Sequence, residues 1–127
     1  MSRKEAMLIV VDAANVVGSR PDGWWRDRAG AARRLLMRLS TLDLPQPAEV
    51  VVVLEGAAKA AGSEEFAGVR VVLADGSGDD AIVDVVAAAT AEDRITVITA
   101  DRRLRERIEA LGAESAGPSW LLDRIDS

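Results

Sequence analysis

The sequence predicts an α/β fold, a three-layer α/β/α sandwich around a central, mainly parallel sheet of four to five strands. Three observations carry that expectation. Four short runs rich in branched aliphatic residues, Met7–Val11, Glu49–Leu54, Val69–Leu73 and Ile95–Thr99, have the length of strands. None alternates cleanly with polar residues, which is the pattern of parallel strands covered on both faces. Segments with helical spacing lie between and after them, as in a chain that winds strand, helix, strand.

Taken in order, the first strand runs into Asp12 and Asn15. The spacing then predicts a helix over Trp25–Leu42, with Ala29, Ala32, Leu35, Leu36 and Leu39 on one stripe. Trp25 is expected to pack into the core at the start of that helix, leaving Trp24 exposed. Pro45 and Pro47 mark the loop into the second strand, and Gly76 with Gly78 the turn into a central helix over Asp79–Ala91. Ile82, Val83, Val85 and Val86 make that helix apolar nearly all round, as for a buried helix. Leu104–Leu111 reads as a short helix with a basic outer side. Ala113–Ala116 reads as a last edge strand and Pro118–Ile125 as a closing helix. The 127 residues have the size of a single domain, residues 1–127, with no internal repeat, low-complexity tract or linker. No apolar run approaches the roughly 20 residues of a membrane helix, and Met1–Ala6 lacks the shape of a signal peptide. A cytoplasmic location is the default expectation.

The missing residue types narrow the chemistry. Without Cys there are no disulfides, zinc thiolates or thiol nucleophiles. Without His there is no Ser-His-Asp arrangement and no imidazole ligand or base. Tyr is absent too, and the two lysines, Lys4 and Lys59, lie outside any phosphate-loop context. Carboxylate, amide, hydroxyl and guanidinium remain, and an oxygen-only set suits hard cations such as magnesium or manganese. The net charge of −5 opposes bulk binding of a polyanion. Residues 1–40 nevertheless carry a basic surplus beside an acidic remainder, a distribution compatible with a nuclease, although a solvated helix face is the plainer reading of it.

In a parallel sheet with right-handed crossovers the carboxyl ends of the strands share one edge, where ligands sit. Asp12 ends the first strand, Glu55 the second, and Asp101 follows the fourth; Asp79 and Asp80 open the central helix. Each has a plainer role available. Asp12 and Asn15 suit turns, Asp101 suits a helix N-cap, and Asp79 and Asp80 suit a helix dipole. Asp84 lies four residues from Asp80 on the same helix face, a solvated position in the plain reading. Independent caps, however, need not fall on one edge. Like charges gathered there cost several kcal/mol at low effective dielectric, roughly, unless a cation or proton offsets them. Arg20, Trp24, Trp25, Arg26 and Arg28 form a basic and aromatic segment after the first strand, the composition that holds single strands by stacking and phosphate contacts. Arg102 and Arg103 are further phosphate candidates beside Asp101.

These residues resemble a known family. Val11-Asp12-Ala13-Ala14-Asn15-Val16-Val17-Gly18 is similar to the D-G-Y-N-V-I-G opening of NYN domains, the YacP-like branch of the PIN-like nucleases. Glu55–Gly56 stands where that family shows Phe-Asp and a small residue. Gly78-Asp79-Asp80-Ala81-Ile82-Val83-Asp84 is similar to T-A-D-x-x-I-E, and Thr99-Ala100-Asp101-Arg102 to T-S-D-R. Gly112–Ala113 and Trp120–Leu121–Leu122 sit where the family has its final strand and helix, so the resemblance spans nearly the whole chain.

The resemblance implies a PIN-like fold and a metal-dependent ribonuclease. Asp12, Asp80 and Asp101 would bind Mg2+ or Mn2+, with Asn15 supporting Asp12 in the catalytic set and Glu55 and Asp84 completing the acidic one. Thr99 would orient the site through its hydroxyl and, with Arg20, Trp24, Arg26, Arg28, Arg102 and Arg103, stand on the substrate side. The implied partner is single-stranded or structured RNA; no membrane is involved, and a homodimer is left open. Two departures stand out. Ala13–Ala14 replaces a Gly-aromatic pair, and Glu55 replaces Asp, which moves the carboxylate by about 1 Å. They make a non-catalytic NYN-type domain that binds RNA or a protein the alternative reading. A receiver-like signalling domain fits less well, because no Lys follows Lys59.

Overall fold

The computed structural model of the chain describes residues 7–19, 23–42, 48–89 and 94–125. Five parallel strands, β1 (Met7–Asp12), β2 (Ala48–Leu54), β3 (Val69–Leu73), β4 (Arg94–Ile98) and β5 (Glu114–Ala116), form one sheet in the order β3-β2-β1-β4-β5. The chain starts at the centre, builds outward through β2 and β3, then crosses to the other side of β1. The topological switch point therefore lies between β1 and β4, where a crevice opens beyond the strand ends.

Alternate residues of the central strands serve opposite layers. Ile9, Val11, Val50, Val52 and Leu54 face one layer with Val16, Leu35, Leu36 and Leu121. Leu8, Val10, Val51 and Val53 face the other with Ile82, Val86, Leu104 and Ile108. This is why the strands read as unbroken apolar runs: each parity is buried. The first layer holds α1 (Ala13–Gly18), α2 (Arg28–Ser40) and α5 (Pro118–Ile125); the second holds α3 (Gly78–Ala88) and α4 (Arg102–Glu109). Fully burying a side chain such as Leu36 or Ile82 contributes about 1.5–3 kcal/mol.

Four local expectations are corrected. The helix expected from Trp25 begins at Arg28, because Asp27 caps it: the Gly30 amide donates to Asp27 Oδ1 at 2.9 Å. Trp24–Arg26 forms a separate 3-10 turn after Gly23, which has positive φ (79°). Freed from the phase of α2, Trp25 points outward at 55% exposure and Trp24 is half-buried, the reverse of the sequence reading. The central helix buries one stripe rather than its whole circumference; Gly78, Ile82 and Val86 are covered, whereas Asp80 and Asp84 are exposed. Asn15 sits inside α1, a helix of six residues too short to show a period in sequence. A 3-10 segment, Gly56–Ser63, follows β2. Arg20, Pro45 and Pro47 lie outside the described residues, as do residues 90 and 91 of the expected central helix. Among the described residues no helix is long and apolar enough to cross a membrane.

Candidate metal centre at the carboxyl edge of the sheet

Asp12 stands at the switch point, 6% exposed, as both the last residue of β1 and the N-cap of α1. A strand that passes directly into a helix leaves the helix's first amides unpaired, and an Asp in the extended conformation supplies the acceptor. The Asn15 amide donates to Asp12 Oδ1 at 3.3 Å. The other carboxylate oxygen, Oδ2, accepts from the Thr99 hydroxyl at 2.9 Å, across the gap between β1 and the end of β4. Thr99 Oγ1 in turn accepts from the Asp101 amide at 3.1 Å, and the Ala100 amide donates to Asn15 Oδ1 at 2.9 Å. Asp12, Asn15, Thr99 and Asp101 are thus one connected network spanning 85 or more residues of chain.

Asp101 has the cap role that its sequence suggested, with the Leu104 amide donating to Oδ1 at 3.2 Å. It is also half-exposed toward the same edge. Glu55, just past β2, accepts from the Gly78 amide through Oε2 at 2.7 Å, which ties the second strand to the start of α3. A Cβ on Gly78 would stand 2.9 Å from the Glu55 carboxyl carbon, so any side chain there would make the Glu55 carboxylate shift.

Electrostatics separates the two adjacent aspartates of α3. Burial, with the charges of Asp79 and Glu55 adding to it, pushes the Asp12 carboxyl up to about 6 against the lowering effect of Thr99 and Asn15. Asp79 is raised as well, by burial first and then by Asp101 and Glu55, with Arg107 opposing. Asp79 therefore shares the field of Asp12, Glu55 and Asp101. Asp80 turns outward and pairs with Arg107 at 3.0 Å. With Asp84 it lines a surface cleft that none of Asp12, Glu55 and Asp101 lines. So the structure brings Asp12, Asn15, Thr99, Glu55 and Asp101 to one edge together with Asp79, while Asp80 and Asp84 line the neighbouring cleft. A sequence signal for Asp79 existed: it lies three before Ile82 and seven before Val86, on the stripe that faces the sheet. Among the described residues no three acidic side chains form a ready-made cation cage.

Thr99 is fully buried, so it positions Asp12 and Asp101 and is not a surface for substrate. Thr99→Val keeps the volume and removes the hydroxyl, leaving a buried carboxylate oxygen and an amide without partners. It is expected to cost about 1–3 kcal/mol, read as a lower midpoint in urea, whereas Thr99→Ser should retain most of that stability. A Thr99→Val protein as stable as the wild type would refute this role.

On the substrate side, Arg102 and Arg103 are exposed on the first turn of α4 beside Asp101. The guanidinium of Arg28 lies 5.4 Å over the Trp24 ring, and that of Arg26 5.9 Å over Trp25. The two rings meet edge to face, with centroids 6.3 Å apart.

No family model matches the sequence, and neither does any curated protein. Among solved structures, the chain is similar to the crystal structure of Rae1 (YacP) from Bacillus subtilis, with a TM-score of 0.74 and 19% identity. The likeness covers 94% of this chain and 75% of that one. The name YacP is also that of the branch whose motifs the sequence resembles. The fold, a five-stranded parallel sheet between helical layers, is one this chain shares with Rae1 (YacP).

Proposed function

We propose that the protein is a metal-dependent ribonuclease of the PIN-like, NYN type. One observation carries the reading: Asp12, Glu55, Asp79 and Asp101 come from four separate stretches of chain into one another's electrostatic field at the carboxyl edge, and Asp12 is buried there. Burying one carboxylate within the field of others opposes folding, and such an arrangement marks a candidate site. The donor set fits a hard divalent cation, because it is all oxygen and its mutual repulsion is relieved by positive charge. Asp12, Asp79 and Asp101 would hold Mg2+ or Mn2+, with Glu55 at the margin. The field of these carboxylates, rather than a finished cage, is what attracts the ion.

When bound, the ion supplies Lewis acidity toward a phosphodiester. The chain's own contribution is position. Thr99 and Asn15 fix both oxygens of Asp12, and the Thr99–Asp101 link keeps the second carboxylate in register with the first. Arg102 and Arg103, exposed on the first turn of α4, would meet backbone phosphates next to Asp101. Trp25, with Arg26 over it, offers an exposed stacking surface for a single strand.

Manganese is expected to raise the melting temperature of the purified chain, by RT ln(1 + [L]/Kd) in stability terms, and to support cleavage of single-stranded RNA that EDTA stops. A melt unmoved by millimolar manganese, together with no RNA cleavage, would refute the metal-dependent nuclease and leave the non-catalytic domain.

A further inference from the structure

Next to the acidic edge is a pocket of about 350 Å³, at the small end of the range for small-molecule sites. It opens between α1, the Trp24–Arg26 turn, α2 and the exit of β2. Ala14, Ala32 and Ala58 line it together with Trp24 and Arg28, and Glu55, one of the edge carboxylates, lines it too. Trp24 lies against the end of α1, where a Cβ on Gly18 would sit 3.5 Å from the ring, and Arg28 covers it.

The chemistry of the lining selects a ligand. Alanines leave space and offer no hydrogen-bond pattern to match. A tryptophan ring offers a π surface to a flat aromatic group, and the guanidinium beside it attracts an anion. A flat aromatic group carried on an anionic chain is a nucleotide. Stacking with no hydrogen-bond readout accepts every base, since each has a π face. Because Asp12 directly precedes Ala13 and Ala14, which both line the pocket, a base seated here keeps its sugar-phosphate beside the carboxylate edge.

We infer that the Trp24–Arg28 pocket receives one unstacked base of a single-stranded nucleic acid and so seats the adjoining phosphate at the acidic edge. The choice of ligand rests on the nuclease reading, but the pocket itself needs no metal. A paired duplex cannot deliver a base into it, so single strands are selected by shape.

The test uses the full chain in EDTA and a fluorescein-labelled single-stranded RNA of ten nucleotides, read by anisotropy. The expected result is binding that falls at least tenfold for the same backbone with abasic residues, and at least tenfold for a duplex of equal length. Trp24→Leu is expected to weaken binding tenfold or more, while Trp24→Phe stays within threefold. Ala58→Phe, which fills the pocket and leaves Trp24 in place, is expected to weaken it as Trp24→Leu does. It also decides the matter if Trp24→Leu melts early. Equal affinity for the abasic strand, or wild-type affinity in Ala58→Phe, overturns the inference. A wild-type chain that binds as described yet never cleaves with manganese refutes the nuclease and upholds the pocket. Cleavage with unchanged KM in Ala58→Phe and Trp24→Leu does the reverse.

Discussion

Replacing Asp12 with Asn is expected to stabilise the protein above pH 6 while abolishing manganese-dependent RNA cleavage. The carboxyl titrates at about 6 in the folded chain against 3.8 for an unperturbed Asp, so the folded state binds its proton more tightly than the unfolded one. The sign follows directly. The stability linked to that proton is fully present below about pH 4 and is lost as the pH rises through 6. A shift of this size is worth up to about 3 kcal/mol at pH 8, on the order of 10 °C in Tm for a chain of this length. Asparagine never ionises, so the variant escapes the loss. Its amide keeps an acceptor for Asn15 or Thr99, and repairing the rest of the network reduces the gain. The measurement is the difference in Tm between variant and wild type across pH 4–8. It should be near zero or negative at pH 4 and positive at pH 8. A difference independent of pH, or a less stable variant at pH 8, would show that Asp12 is not a strained acid. Manganese should narrow the gap by stabilising the wild type alone.

The second large effect separates neighbours in sequence. Asp79→Asn is expected to remove the manganese-induced rise in Tm and to lower RNA cleavage by on the order of 100-fold or more, the scale of losing a group that stabilises charge at the reacting centre. Asp80→Asn is expected to leave both within a few-fold of wild type. Its ion pair with Arg107 is solvent-exposed and contributes less than about 1 kcal/mol. Motif alignment alone predicts the opposite, because it places the family's acidic position on Asp80. Loss of the metal response in Asp80→Asn with a normal response in Asp79→Asn would therefore restore the motif's register and refute the site drawn from the fold.

These two aspartates show where sequence reasoning stops. Consecutive residues of a helix point about 100° apart, so the motif G-D-D locates a helix start without saying which carboxylate faces the sheet. The packing of Ile82 and Val86 against Val10, Val51 and Val53 fixes the phase of α3, and that phase turns Asp79 inward. The tryptophan pair follows the same logic. A helix continued back to Trp25 would bury that ring, but the Asp27 cap breaks the continuation and the 3-10 turn presents Trp25 to solvent. Thr99 reads as a strand end in sequence. Its role as the bridge between Asp12 and Asp101 exists only because β1 and β4, almost ninety residues apart, are neighbours in the sheet.

The sequence by itself determined the layered parallel architecture and the strand boundaries to within a residue or so, because apolar runs with both parities buried and helical stripes between them are local properties. It also determined that Asp12, Glu55 and Asp101 meet at one edge, since a parallel sheet turns strand ends into neighbours. Helix phase, cap competition and cross-sheet hydrogen bonds were decided by the tertiary structure alone. Each depends on which distant side chains pack together, and no spacing along the chain encodes that.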